Sequence, residues 1–586
     1  MTIPQRTVAI IGIGPRGSYA MERYIIELAK SNILQNLHLL LFDAQGKFGY
    51  GPVYELSQND ANWLNISERI LLLDKRPAIQ YENITIPSFP SYHEWLDKDF
   101  ASSELSDLDN YPLRSKLGSY LHQRFQSLAV PLQKEKIIST IISTVVKVDK
   151  MNTCLFIECA DSSRYDNVDE VLITIGHQPT EESSQLKEWN ELMSNDQGIR
   201  LYSSPYPLSN YLDSALDGNS SIGVRGFGLA MIDIVRGIAN KFGEFAITNR
   251  QTRKFSYSSV HKCKNLIIPF SLDGLPPVPK PLNAEIDNWF KPNEKQIKRF
   301  EEIIGDKEIH KSARTFDFLI EAFAPIAARI FSGLSSVYAF QTNSKEEITD
   351  IIKAWLNDDQ YMHPTILNVN QSAYKLMQEF AGMASGMRDI SLDYCIGQVW
   401  RHCQPSIYDK LSYNDCQNDI VVEIVNLDER VKRYSFGPPV DSIQQLIALV
   451  DAEVLSLEWV KNPGIDLSIK GWNLNNGSKT ILVKSMINSV LDAPVLKAVN
   501  SPVIRHLLAN DMIKAVHDDL GIATDACGYI LSEGSSDLPI AVLGRLAKGT
   551  IIGVDAILEC FGQRPLAWAE AAAKHHNEFL NKYEFQ

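Results

Sequence analysis

Val8-Ala9-Ile10-Ile11-Gly12-Ile13-Gly14-Pro15-Arg16-Gly17, followed by a helix-forming run and then by Leu39-Leu40-Leu41-Phe42-Asp43, decides the fold of this 586-residue chain. The stretch reads as a buried strand, a glycine turn, a helix and a second strand ending on a carboxylate. Gly12 permits the tight turn, Gly14 lets the backbone approach a diphosphate, and Gly17 lets the helix pack closely on the strand. The diphosphate then faces free N–H groups at a helix N-terminus. Asp43 follows Gly17 by 26 residues, somewhat beyond the ~20 usual for an acid that holds a ribose. The strand before, the helix after and the acid beyond together predict a site for an adenine dinucleotide.

A second pattern of this kind starts at Ser221. Ser221-Ile222-Gly223-Val224-Arg225-Gly226-Phe227-Gly228 enters a glycine turn, Leu229 to Phe242 has helical apolar spacing, and Phe245 to Arg250 reads as the next strand. Met231 stands in the place of the third glycine. Arg250 and Arg253 follow that strand where a 2′-phosphate would sit, so the motif reads as a site for NADPH. The bland reading of the same residues is a packing unit without ligand, its arginines merely solvated.

The composition is that of an ordinary globular protein, 45% hydrophobic and 22% charged. A net charge of −14 with no basic run argues against nucleic acid as a partner. No apolar stretch reaches the ~18 residues of a membrane span. Thr2 to Arg6 lead directly into the first strand, which gives no expectation of a signal peptide. The eight cysteines (154, 159, 263, 395, 403, 416, 527 and 560) form no CxxC pair and read as thiols in a reducing compartment. The expectation is a cytoplasmic protein with a small-molecule substrate and no membrane partner; a homo-oligomer stays open.

Residues 137–150 and 154–159 read as β-rich, the second run as hairpin partner of the first, and Glu170 to Ile175 as a buried strand stopped by Gly176. Between 282 and 457 the spacing turns helical at 294–304, 316–331, 344–356, 372–384 and 440–454. Strands near 467 and 481–483, a helix at 503–516 and a strand at 539–544 follow. The chain divides at 1–200, 201–281, 282–457 and 458–586; the resemblance set out next implies that these are the first part of an FAD-binding domain, an NAD(P)H-binding domain, a helical insertion, and a return to both nucleotide domains. The fold class is α/β, with two Rossmann-like domains, one interrupting the other.

Other pieces carry a resemblance: Phe48-Gly49-Tyr50-Gly51-Pro52-Val53-Tyr54, Trp63-Leu64-Asn65-Ile66, Pro112-Leu113-Arg114 with Gly118 to Leu121, Gly226 to Asp233, Ser271 to Pro276, Phe436-Gly437-Pro438-Pro439, and Leu543 to Thr550. With the two glycine turns they resemble the bacterial FAD/NAD(P)-binding flavoproteins related to class B and N-hydroxylating flavin monooxygenases and to FAD-dependent urate hydroxylases. The resemblance implies FAD at the first turn, with Gly12, Gly14, Pro15, Arg16 and Gly17 at its diphosphate and Asp43 on its ribose. It places the Val145-Val146 backbone near the adenine and Phe48, Gly49, Gly51 and Asn65 along the path to the flavin. Thr174 and Gly176 would mark the crossing between domains. Gly544 and Arg545, with Gly549 and Thr550 opening a helix, would sit beside the flavin ring. Gly226, Gly228 and Arg250 would hold NADPH. Arg114 reads as a cofactor contact or an ion-pair partner. The segment 486–492, in the place of a second strand end, lacks the glycine expected there.

Flavin enzymes need few protein acids and bases, because the cofactor carries the redox chemistry. Catalytic residues are accordingly not assigned. His177 is a weak candidate or a surface histidine; His363, His402 and Cys403 lack the further ligands of a metal site. Tyr257, Ser258, Tyr394 and Trp400 read as packing. The implied function is an FAD-dependent, NADPH-driven monooxygenase acting on a small nitrogen-containing or heteroaromatic substrate. Alternatives are a flavin oxidase or dehydrogenase serving oxygen or a partner protein, and a non-catalytic FAD-binding scaffold.

Overall fold

The computed structural model describes residues 4–100, 102–192, 198–212, 216, 218–260, 264–338, 344–531 and 539–584; Cys263 lies outside them. Two parallel sheets organise the chain. The first has five strands, in the order Ile540–Val542, Glu170–Ile173, Arg6–Ile11, Leu37–Asp43 and Ile138–Ile142. The second has four, in the order Arg200–Tyr202, Ser485–Asn488, Ile222–Arg225 and Ile267–Phe270. The α/β class with parallel nucleotide-type sheets is as the sequence implies. A strand from near residue 540 completes the sheet begun at residue 6, and one from 485 completes the sheet begun at 200.

The near-continuous apolar strands are explained by cover on both faces. Val8, Ile10, Leu39, Leu41 and Leu172 pack on the helices Pro15–Lys30 and Gln563–Glu584 through Met21, Tyr24, Ile25, Trp568 and Ala572. The alternate residues Ala9, Ile11, Leu40, Phe42 and Ile173 face an antiparallel meander, Val145–Met151, Cys154–Cys159 and Arg164–Val168, and the helix Pro502–Ala509. The period of two thus feeds two separate cores. The second sheet repeats the plan: Ile222, Val224, Ile267 and Ile487 pack on the helices Leu229–Phe242 and Val440–Asp451, and Ile268, Phe270 and Met486 pack on a second meander, Gly464–Ser468, Gly471–Asn475 and Thr480–Val483. In each unit the meander immediately precedes the strand that flanks the glycine-turn strand.

The helical stretch between the last two strands of the second unit contains Glu294–Ile304, Asp317–Ser332, Lys345–Asn357, Ala373–Ala384 and Val440–Asp451, close to expectation. Asn293 with Gln296 and Ser344 with Glu347 form capping boxes that set two of the starts. Its centre, Leu392–Leu411 and Asn418–Ser435, escaped the periodicity. Leu392–Leu411 is buried on nearly all sides, with Tyr394 and Trp400 fully buried, and it contains Pro405, so it shows no apolar stripe.

Three local expectations are corrected. Residues 137–150 are two elements: Ile138–Ile142 joins the parallel sheet, and the chain breaks before the meander strand Val145–Met151. Phe245 to Arg250 does not add to the second sheet. Gly243–Asn249 pairs only with Lys254–Ser259, as a hairpin inserted before the true neighbour strand Ile267–Phe270. Gly549 and Thr550 open no helix; they lie in a turn, and the next α-helix starts at Gln563.

Candidate functional site

The first glycine turn has the shape of a diphosphate cradle. Gly12 has φ +94°, and a Cβ there would lie 2.8 Å from the Thr174 and Ile175 backbone. A Cβ on Gly17 would lie 2.3 Å from the Gly12 carbonyl oxygen. At Gly14 a Cβ would meet only the Gly51 Cα, at 3.8 Å, so this side of the turn is bare of protein. Pro15 starts the helix, and no side chain caps it. Those amides suit a diphosphate. Asp43 is buried and accepts the N–H groups of Gln45 and Lys47, which fixes its carboxylate at the strand end. Val146 is the extra residue of a bulge in the first meander. Thr174 Oγ1 donates to the Gly12 carbonyl at 2.5 Å, and Gly176 takes φ +68° with no protein near its Cβ direction. These features fit an FAD held by residues 12–17, 43 and 146.

Other implied contacts take different work. Gly49 donates its N–H to Ile13 O and brings the loop over the turn, and the half-buried Phe48 stacks on Phe125 at the edge of the core. Arg16 reaches Val554 O, 3.3 Å, and lies across Gly544, tying the turn to the C-terminal segment. Arg545 donates to Asp492 O and faces Asp555. Thr550 bonds within its own region, to Ile522 O, and Gly549 abuts Leu520. His177 stands near Arg545, Asp555 and Asp492; burial and Arg545 hold its imidazole below the usual range.

The second turn has the same frame. Gly226 has φ +115° and Gly228 has nothing within 4 Å of its Cβ direction, at the uncapped start of Leu229–Phe242. Met231 is fully buried in the core. Arg250 is exposed in the hairpin turn, and Arg253 is ion-paired with Asp441. Neither follows a strand of the parallel sheet, which corrects the expected 2′-phosphate position.

A cavity of about 590 Å³ lies where these parts converge. Val53 and Tyr54, just beyond the loop covering the first turn, form one wall with Asn65. Leu229, Ile232, Asp233 and Arg236, directly after the second turn, form another, and Arg401, Tyr408, Phe436 and Pro438 of the helical region a third. Arg114 is an inter-unit ion pair here: its Nη2 donates to Asp233 (2.6 Å) and to the Tyr206 hydroxyl (3.1 Å). Burial brings the Arg236 guanidinium down to about 10, although it stacks on Trp63 and donates to Gln445, Ser442 and the Ala61 carbonyl. Lys280 also lines the cavity, its amine on the Asn65 carbonyl. Sequence reasoning missed Lys280, Tyr206, Arg236 and Arg401; the signal was a lysine inside the run Pro276-Pro277-Val278-Pro279-Lys280-Pro281. His402 sits on Asp287, His363 on Thr365, and Cys403 is buried; among the described residues no set of three metal-ligating side chains assembles. No helix among them is long and apolar enough to cross a membrane.

The first turn lies in a region that matches known proteins. An L-aspartate N-monooxygenase (nitrosuccinate-forming) from Streptomyces cremeus is 23% identical over 257 residues, 40% of this chain and 37% of that protein, so the match spans little more than a third of the relative. Among solved structures, ornithine hydroxylase from Pseudomonas aeruginosa aligns with 98% of this chain and all of its own at 12% identity and TM-score 0.43. L-lysine 6-monooxygenase from Pseudomonas syringae aligns with 98% of this chain and 99% of its own at 11% identity and TM-score 0.44. The model of the FAD-NAD(P)-binding family matches residues 9–178, which contain the first glycine turn, Asp43, the first meander and Thr174. Residues 9–178 are an FAD-NAD(P)-binding domain.

Proposed function

We propose that the chain is an FAD-dependent, NADPH-driven monooxygenase that hydroxylates a small nitrogen-containing substrate. The observation that carries the reading is the cavity: its walls continue directly from the loop over the first glycine turn and from the helix that leaves the second. An FAD laid along residues 12–17 and 51–54, and a nicotinamide dinucleotide laid on Gly226 and Gly228, would both extend toward it. FAD supplies hydride acceptance and oxygen activation; the chain supplies position and exclusion of water. Arg114, Asp233 and Tyr206 fix the two nucleotide units against each other, and Tyr408, Phe436 and the proline pair 438–439 close the cavity from the helical side. The aspartate N-monooxygenase relative supports nitrogen as the oxidised atom.

The test is anaerobic mixing of the FAD-loaded protein with NADPH, followed by air and candidate substrate. Bleaching of the flavin, then equal consumption of NADPH and oxygen with a hydroxylated product, is expected. Peroxide release without NADPH consumption would mean an oxidase, and a flavin that stays yellow with both NADPH and NADH a scaffold; either result ends the proposal.

A further inference from the structure

We infer that the cavity is built to bind its substrate as an organic anion, and that Lys280 is the residue that holds the substrate's carboxylate, with Arg401 beside it. The inference deepens the proposed function and rests on it for the identification of the ligand as substrate. The observation is an imbalance of charge partners. Arg114 has Asp233, Arg236 has Asp233 with three neutral acceptors, and Arg401 has Asp287. Lys280 has one neutral acceptor, the Asn65 carbonyl, and no carboxylate of the described residues lies within ion-pairing distance. The acids that face it are committed elsewhere: Asp109 pairs with Arg69, and Asp287 with Arg401, Arg69 and His402.

The backbone that carries the amine is also held in place. Val278 N–H donates to Arg433 O and Lys280 N–H to Pro438 O, each at 3.0 Å, and four prolines around them limit the backbone further. Burial, with Arg401 close by, pulls the Lys280 amine down to about 7. A poorly hydrated cation is costly, and Asp287 and Asp109, both already paired with other cations, offset only part of that cost from a distance. An incoming carboxylate supplies the missing counter-charge, accepts the amine's remaining N–H groups and stands next to the Arg401 guanidinium.

The binding should follow the protonation of Lys280. Asp287 keeps its charge throughout, because Arg401 and His402 hold it well below the carboxylate range despite burial. Asp109 and Arg401 complete the charged surroundings, with His402 behind Asp287. The ammonium is present below pH 7 and is lost as pH rises through it, so affinity should fall by about tenfold per pH unit above about pH 7.

The test is calorimetric titration of the FAD-loaded protein with succinate, glutarate and benzoate, each beside the uncharged amide in which every carboxylate is replaced. At least one acid should bind, its amide about tenfold or more weaker, with the stated pH dependence. Lys280→Met should lose that binding while keeping its visible flavin spectrum, and Lys280→Arg should restore it at low pH and flatten the pH profile. If Lys280→Met does not fold, the wild-type pH profile and Lys280→Arg decide. Absence of binding by every acid, equal binding of acid and amide, an affinity that does not change between pH 6 and 9, or Lys280→Met binding like wild type would each overturn the inference. Flavin reduction by NADPH is scored separately. Lys280-dependent acid binding in a protein that NADPH does not reduce would remove the proposed enzyme and leave the anion site.

Discussion

The two glycine turns share a register, and the shared register exposes what differs. In the first unit Ile11 pairs with Phe42, Gly12 N–H donates to Phe42 O, and Thr174 N–H donates to Ile11 O. In the second, Arg225 pairs with Phe270, Gly226 N–H donates to Phe270 O, and Ser489 N–H donates to Arg225 O. Gly12, Gly14, Asp43 and Thr174 therefore correspond to Gly226, Gly228, Ser271 and Ser489. Two exchanges stand out. Gly17 becomes Met231, and the buried acid Asp43 becomes the neutral Ser271. The first turn packs its helix onto bare backbone and ends its second strand on a charge. The second packs its helix through a buried thioether and ends its second strand on a hydroxyl. A 2′-hydroxyl suits the first arrangement; at the second the strand-end residue itself is neutral, and the nearest carboxylate, Asp273, lies two residues on and is engaged by the Ser271 hydroxyl.

The sharpest break of this correspondence is at the second glycine of each turn. Gly14 has an ordinary φ of −77° and open space at its Cβ direction, so Gly14→Val should fold with stability changed by less than about 1 kcal/mol. It should nevertheless lose FAD by about 100-fold or more, about 2.7 kcal/mol, because the added methyls occupy the diphosphate side. A purified Gly14→Val protein with the full visible flavin band would falsify the cofactor assignment. Gly17→Ala acts through the fold instead: its Cβ would sit 2.3 Å from a backbone oxygen. A loss of roughly 1–3 kcal/mol in denaturant unfolding is expected, and an unchanged midpoint would mean the turn relaxes freely. Gly228→Val should keep the flavin colour and raise the NADPH Michaelis constant by about tenfold or more; if the flavin is lost instead, the two turns have exchanged roles.

How much of this was legible follows from the range over which each signal acts. The glycine turns are local: strand, turn and helix are written within thirty residues, and both appear where the sequence puts them. The hairpin Gly243–Asn249 with Lys254–Ser259 defeated that reading, because a strand's composition does not say which edge it joins. Phe245, Ile247, Phe255 and Tyr257 look like sheet residues in either place. Gly549 and Thr550 carried the signature of a helix start, but Ile551-Ile552-Gly553 continues as turn, and Gly553 takes φ +78°. The cavity was least legible. Asn65, Arg114, Asp233, Lys280 and Arg401 meet across more than three hundred residues of sequence, and of these Asn65, Arg114 and Asp233 lie in pieces that carry the resemblance whereas Lys280 and Arg401 do not.

The smallest effect concerns the residue that reads the adenosine ribose of the second nucleotide. From the sequence, Arg250 is the expected 2′-phosphate contact; by the register, the residue that corresponds to Asp43 is Ser271, and we propose that position instead. Ser271 accepts Gly274 N–H and is bonded to Asp273, whose Oδ1 also takes Leu275 N–H, so the loop holds the hydroxyl at the strand end. Ser271→Asp would place a carboxylate where the phosphate is proposed to lie, and like charges there should raise the NADPH Michaelis constant several-fold, with NADH unchanged or improved. Arg250→Ala, altering an exposed turn of a separate hairpin, should move both constants by less than about twofold. Steady-state kinetics with the two dinucleotides distinguishes the cases. If Arg250→Ala selectively weakens NADPH while Ser271→Asp does not, the hairpin folds over the nucleotide, and the correspondence between the turns ends at Phe270.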